Sequence, residues 1–173
     1  PLVTAWRTAN PNITKFWWAV DKAVMYTVST KNPYECYGLK FSFAKGILFI
    51  ELPSGRRLAY VRPRLGVNNF GSDCVTYEGS AIEEVERIES YGPKFVENIV
   101  QATARDILVE AMQRLDKAGV KITMHIHDEC VCEVPDHVSS SVEVCRIMSE
   151  RPAWAGTLNL RADGYECEFY KKE

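Results

Sequence analysis

The sequence predicts an α+β fold: an antiparallel sheet with long helices packed on one face, plus a small β-hairpin element. Three observations carry this. Helical periodicity and strand alternation occupy separate stretches; their order is helix, strands, helix, hairpin, helix, strand; and no strand–helix–strand unit repeats along the chain. The 173 residues, 46% apolar and 25% charged, suffice for one domain with a proper core. A formal net charge of −2 excludes a histone-like protein that binds nucleic acid by bulk attraction. It leaves room for a local basic face, because a cleft acts through its own field.

The chain opens on Pro1 instead of an initiator Met, and residues 2–6 read as the tail of a helix whose beginning is missing, as in a piece of something longer. Asn10-Pro11 marks a helix start, with Asn as cap and Pro at the first helical position. Behind it Ile13, Phe16, Trp17, Val20, Val24 and Val28 recur at helical steps to about Ser29, and Met25 and Tyr26 widen the stripe. Residues 39–43 alternate as a strand, Lys45-Gly46 offers a turn, and 47–52 form a second strand. Pro53-Ser54-Gly55 turns again into a strand over 57–61. Gly66, Asn68, Asn69, Gly71 and Ser72 predict a loop over 62–80, with one short strand at 75–77.

Gly92-Pro93 opens the longest helix, which runs to about Ala118 and stops at Gly119. Residues 121–134 predict a hairpin, 138–148 a shorter helix, and 158–169 extended segments. The six cysteines, Cys36, Cys74, Cys130, Cys132, Cys145 and Cys167, show neither a C-x-x-C pair nor zinc spacing, and Cys130 and Cys132 would share a strand face. With no secretory segment, reduced thiols in a cytoplasm are expected. The apolar runs fall far short of the ~20 residues that span a bilayer, so no membrane association is expected.

Three features could carry chemistry. In the hairpin, apolar residues at Ile122, Met124 and Ile126, then Cys130, Cys132 and Val134, are symmetric about Asp128 and predict a turn on His127-Asp128-Glu129. That is poor turn chemistry, since tight hairpins favour Asn-Gly or Asp-Gly, and a locally broken rule marks a candidate site. Adjacent carboxylates at a rigid tip are hard ligands suited to Mg²⁺ or Mn²⁺, and His127 could donate to a phosphate. A solvated polar turn accounts for the same residues. His125 reads as an ordinary cross-strand residue on the other face.

On the long helix, Lys94, Asn98, Gln101 and Arg105 fall within about 60° of one another, opposite Val96, Ile99, Val100 and Thr103. This carboxylate-free row offers donors to phosphates and minor-groove acceptors, and it equally describes a solvated face. The apolar side then swings round through Leu108, Ala111, Met112 and Leu115, as in a central element buried on different sides. The third feature is Arg56, Arg57, Arg62 and Arg64, with Tyr60 among them. It reads as a phosphate-contacting patch or as a basic edge strand protected against aggregation.

Taken in order, these features resemble the C-terminal part of a family A (polymerase-I-like) DNA polymerase of phage or prophage type. Gly55-Arg56-Arg57-Leu58 followed by Tyr60-Val61 is similar to the family's glycine–arginine–arginine segment. Gln101-Ala102-Thr103-Ala104-Arg105-Asp106-Ile107 is similar to its long-helix motif, usually Gln-Gly-Thr-Ala-Ala-Asp-Ile, departing at Ala102 and Arg105. His127-Asp128-Glu129 matches the last polymerase motif, and the phage subgroup is suggested by residues 91–101 and by Trp6-Arg7 through Trp18.

The resemblance implies that Asp128 is the second of two aspartates holding the catalytic Mg²⁺ pair, with Glu129 a supporting acid and His127 near the primer-terminal phosphate. It implies that Gln101 and Arg105 track the minor groove. Residues 1–173 would form a palm-region fragment: a helical lead-in over 1–30, an arginine-bearing β element over 37–80, and a helix–hairpin–helix–strand core over 88–173. The implied partners are primer–template DNA, deoxynucleoside triphosphates, and upstream fingers and thumb segments, in a bacterial host cytoplasm or nucleoid. The first catalytic aspartate and the triphosphate-binding Lys and Tyr of the family have no counterpart here, so the chain alone is expected to be inactive. Two rivals stay open: a metal-dependent phosphodiesterase or nuclease using His125, His127 and Asp128, and a non-enzymatic duplex-DNA-binding module.

Overall fold

Strand alternation in residues 39–61 becomes the inner face of a six-stranded antiparallel sheet whose spatial order follows the chain. The computed structural model describes residues 1–80, 85–135 and 141–170. They divide into two units, 1–101 and 102–173, each with its own packing. The architecture is α+β.

In the first unit, α1 (Leu2–Ala9) and α2 (Pro11–Thr30) precede β1 (Tyr34–Cys36), β2 (Leu39–Ala44), β3 (Ile47–Glu51), β4 (Arg57–Val67), β5 (Asp73–Ser80) and β6 (Val85–Ser90). Helix α3 (Gly92–Lys117) follows. Phe41 pairs with Ile50, and Leu48 with Tyr60, so four core residues line one face across three strands. All are buried, as are Val20, Ala23, Val24 and Val28 of α2, which lies across this sheet. Each such aliphatic or aromatic side chain contributes roughly 1.5–3 kcal/mol by leaving water. The stripe fails at its start, where Ile13 is exposed, and at Tyr26, expected to widen it but 39% exposed.

Residues 62–80 do not form the predicted loop. β4 continues to Val67 and pairs with β5, and the turn-forming residues collect at the hairpin tip. There the Asn68 side-chain oxygen accepts the N–H groups of Phe70 (2.9 Å) and Ser72 (3.0 Å). Gly66 sits inside the ladder opposite Cys74, and a register shift between Val61 and Arg64 absorbs Arg62 and Pro63. β1 and β6 were not anticipated: one has three residues, and the other is mostly polar, so neither shows apolar alternation. Asn10 also departs from expectation. It makes no cap on α2; its side-chain amide instead donates to the Trp6 carbonyl at the end of α1 (2.9 Å).

The start of α3 is held by Asp21 of α2, whose carboxylate accepts the Gly92 N–H at 2.7 Å. Burial pushes the Asp21 carboxyl above its usual range, and the Gly92 bond opposes that rise. A folded-state pKa above the unfolded one means the native state holds more protons between the two. This group's contribution is therefore greatest in acid and is lost as pH rises through the folded value. Asp21→Asn keeps an accepting oxygen and should remove this component. Urea midpoints from pH 4 to 7 should show a smaller acid-side gain in the variant than in the parent chain.

In the second unit the rest of α3 leads into β7 (Lys121–Ile126), β8 (Glu129–Glu133), α4 (Ser141–Met148) and a 3₁₀ turn, Ala153–Ala155. The helix ends as expected at Gly119, which takes a φ of 80°. Its N–H donates to Asp116 and that of Val120 to Leu115, the paired bonds of a Schellman cap. Leu115, Val120 and Ile147 form the core of this unit, flanked by Ile122, Cys130, Cys132 and Val144. Cys130 and Cys132 do share a face, and all six cysteines are free thiols. Along α3 the buried side changes from Phe95, Val96 and Ile99 to Leu108, Ala111 and Leu115, the swing read from the sequence. Val100, expected among the buried set, is 56% exposed.

Arg114 donates to the carbonyls of Ile147 (3.3 Å) and Glu150 (2.6 Å), fastening α3 to the end of α4, and the Trp154 indole donates to Glu110. The expected start of α4 at Val138 lies outside the described residues. The expected final strand is not one: residues 158–170 have no ladder partner among the described residues. Their anchoring bonds include one just past the end of α4, where Ser149 Oγ accepts the Ala162 N–H at 2.9 Å. No helix of the described residues is long and apolar enough to cross a membrane.

Candidate functional site

The β7–β8 hairpin pairs Ile126 with Glu129, so its turn is His127-Asp128 alone and Glu129 opens β8. This corrects the three-residue turn expected from symmetry about Asp128. The offset is absorbed by a bulge between Ile122 and Met124, which leaves Met124 40% exposed where alternation placed it inside. Thr123, the extra residue, donates its hydroxyl to the Val131 carbonyl (3.1 Å).

The turn is strained. His127 adopts a φ of 50°, a conformation that a two-residue hairpin ordinarily gives to Gly. A β-carbon there costs on the order of 1–2 kcal/mol. His127→Gly should therefore raise the stability of the second unit by up to about 1 kcal/mol. Chemical denaturation followed at Trp154 would read this; a loss of stability would show that the His127 ring packs favourably at the tip.

Asp128 is exposed at the apex and makes no hydrogen bond or ion pair with the described residues. Glu129 is also exposed, but one of its oxygens accepts the Tyr170 hydroxyl at 3.1 Å. The donor set suits a hard divalent cation in part: one unengaged carboxylate and the free oxygen of a second, both from one hairpin. No cluster of three His, Cys, Asp or Glu that could hold a metal occurs among the described residues. A complete site would need a carboxylate from elsewhere.

The α3 row is not free of carboxylates. Glu97 lies beside it, accepting from Lys94 Nζ at 3.0 Å and from the Gln101 amide at 3.4 Å. The sequence contained the signal, since Glu97 stands three residues after Lys94 and four before Gln101. Asn98 is also engaged: its amide donates to the Tyr60 hydroxyl at 3.1 Å. Tyr60 is enclosed by Tyr77 and Phe95, and burial pushes its pKa up to about 12 against the opposing Asn98 bond. Arg105 is exposed and unpaired among the described residues.

The arginine segment lies on β4, flanked by β3 and β5, which overturns the edge-strand alternative. Arg57 bonds Glu51 (3.0 Å) and Arg62 bonds Glu78 (3.1 Å). Lys40 and Arg57 together hold the Glu51 carboxyl below the usual carboxylate range. Arg56 is exposed in the β3–β4 connection, and Arg64 is exposed with no ion pair among the described residues. The positive patch is thus partly neutralised. Tyr170, 41 residues from Glu129, is the site neighbour that sequence reading missed, and no local pattern signals such a contact.

The chain that carries this strained acidic hairpin and the Gln101–Ile107 helix segment is related in sequence to DNA polymerases. It is 48% identical over 176 aligned residues to the DNA polymerase of Bacillus phage SP02, covering 99% of this chain and 27% of that protein. It is 33% identical over 107 residues to the thermostable DNA polymerase I of Thermus aquaticus, covering 58% of this chain and 12% of the relative. The corresponding enzyme of Thermus filiformis is 34% identical over 101 residues, 55% of this chain and 11% of the relative. The chain therefore spans about a quarter of the phage relative's length. No protein-family model matches it, and no solved structure does.

Proposed function

We propose that this chain is the palm region of a polymerase-I-like DNA polymerase, and that the whole enzyme performs template-directed 5′-to-3′ nucleotidyl transfer in DNA replication. The observation that carries this reading is the 48% identity to a phage DNA polymerase across 99% of the chain. The hairpin tip supports it by presenting an unengaged aspartate.

In this reading Asp128 is a metal ligand, completed by a carboxylate on a strand outside this chain, and Glu129 is its supporting acid. Mg²⁺, with Mn²⁺ as a substitute, would be held by Asp128 and Glu129 and would supply the positive charge that nucleotidyl transfer needs at the 3′-hydroxyl and the leaving oxygen. His127, held outward by its strained backbone, donates to the primer-terminal phosphate. Gln101 and Arg105 donate to minor-groove acceptors, whose pattern is nearly independent of sequence and suits an enzyme that copies any template. Lys94, exposed beside it, and Asn98, bonded to Tyr60, extend that row. Arg64 reaches phosphates directly, Arg57 and Arg62 exchange their glutamates for them, and Arg56 adds its charge to the same patch. The partners are primer–template DNA, deoxynucleoside triphosphates and the fingers and thumb segments, in the host cytoplasm.

A hybrid tests this. Replacing the matching stretch of the phage SP02 polymerase with these 173 residues should preserve template-dependent primer extension. A folded hybrid that extends nothing would overturn the reading. The 173-residue chain alone should incorporate no nucleotide, and incorporation by it would refute the need for a second carboxylate strand.

A further inference from the structure

The C-terminal segment follows α4 in the reverse direction and is fixed to it at three successive levels. At the end of the helix, the Ala162 N–H donates to Ser149 Oγ (2.9 Å). One turn back, Gly164 lies so close to Cys145 that an added Cβ would stand 2.9 Å from its Sγ. At the start of the helix, a Glu166 oxygen accepts the Ser141 N–H at 2.8 Å. The residues pairing off are 149 with 162, 145 with 164 and 141 with 166, so the segment is a strap laid antiparallel along α4. Beyond the last anchor it delivers Tyr170 to the acidic hairpin, where the phenol O–H donates to Glu129 Oε1 at 3.1 Å.

An exposed glutamate at the head of a strand would otherwise sample several rotamers. A phenol has few torsions and a fixed reach, so a Tyr tied down by its own backbone selects one carboxylate direction at small entropic cost. The bond occupies one oxygen and leaves the other as a single acceptor beside the unengaged Asp128. Hydrogen-bonded partners of ligating carboxylates orient them in this way, and their loss typically weakens metal binding.

We infer that Tyr170 is a positioning residue: the strap holds Glu129 so that its free oxygen joins Asp128 in binding a divalent cation at the hairpin tip. This rests on the polymerase reading of Asp128, and the test separates the two.

The experiment uses the 173-residue chain and Mn²⁺ alone as the probe. Paramagnetic broadening of the amide signals of residues 126–129 reports metal at the tip, and side-chain couplings of Glu129 report its rotamer without metal. The parent chain should show one dominant Glu129 rotamer and broadening that Asp128→Asn abolishes. Tyr170→Phe, which keeps the ring and removes only the hydroxyl, should average the rotamers and raise the half-broadening Mn²⁺ concentration by about tenfold. Gly164→Val, which lifts the strap off Cys145 and leaves the phenol intact, should reproduce both effects. In a Glu129→Gln background, Tyr170→Phe should add little further change.

If the parent chain shows no broadening at the tip, the metal role of Asp128 fails, and the inference with it. If Asp128-dependent broadening is present but Tyr170→Phe moves neither the rotamers nor the half-point, the strap is a structural tether and only the inference is overturned. Averaged rotamers with an unchanged half-point overturn it equally.

Discussion

Asp128→Asn in the hybrid polymerase is expected to lower kcat at least about a thousandfold, near 4 kcal/mol at 1.36 kcal/mol per factor of ten. The side chains have the same size, and Asp128 makes no bond to the described residues, so the hairpin should keep its stability within about 0.5 kcal/mol. What changes is charge. A carboxamide offers one neutral oxygen where a hard dication requires an anionic one. Duplex affinity rests on Gln101, Arg105 and the β4 arginines in this reading, and should be unchanged. Single-turnover extension and fluorescence anisotropy on one primer–template separate the two quantities. Activity within tenfold of the parent, or a parallel loss of duplex binding, would remove Asp128 from the chemistry. Glu129→Gln should have a smaller effect, because one of its oxygens already serves Tyr170.

The second large effect is on stability. Gly92→Ala would place a Cβ 2.3 Å from the Trp17 carbonyl oxygen and 2.9 Å from Cβ of Asp21. The near atom is helix backbone and cannot rotate away, so α2 and the first turn of α3 must separate. Overpacking of this kind costs about 1–3 kcal/mol, and loss of the Asp21–Gly92 bond adds roughly 1 kcal/mol, as for a lost helix cap. The intrinsic preference of a helix for Ala over Gly returns no more than about 1 kcal/mol. The net expectation is a loss of about 2–3 kcal/mol from the first unit. A denaturation midpoint equal to that of the parent would show that α2 and α3 can move apart freely.

Much of the molecule was legible because it obeys local rules. The buried alternation of Phe41, Leu48, Ile50 and Tyr60, the α2 stripe from Val20 to Val28, and the Gly119 cap each need only near neighbours to be read. The misreadings have long-range causes. Residues 62–80 carry turn-forming side chains, yet backbone pairing between β4 and β5 overrides them and draws Gly66 into a ladder. β6 presents Glu86, Arg87 and Glu89, so it has no apolar alternation to read, and its strand state comes from pairing with β5. At the hairpin, the symmetric apolar pattern concealed a bulge that shortens the turn by one residue. The acidic tip itself was visible because its residues are wrong for a turn. The contacts of Tyr170 and Asp21 span 41 and 71 residues, and no window of sequence displays them.

The sequential order of the six strands sets how the first unit folds. Every strand can pair as soon as its successor emerges, across short connections whose closure entropy is small, so contact order within the sheet is low. The Asp21–Gly92 closure joins residues 71 positions apart and belongs at the end of that sequence, after the sheet has formed. Interactions made after the transition state govern how fast a protein comes apart, not how fast it assembles. Damage at Gly92 should then appear in stopped-flow traces as faster unfolding with a nearly unchanged refolding rate, so that this junction acts as the latch on the native lifetime.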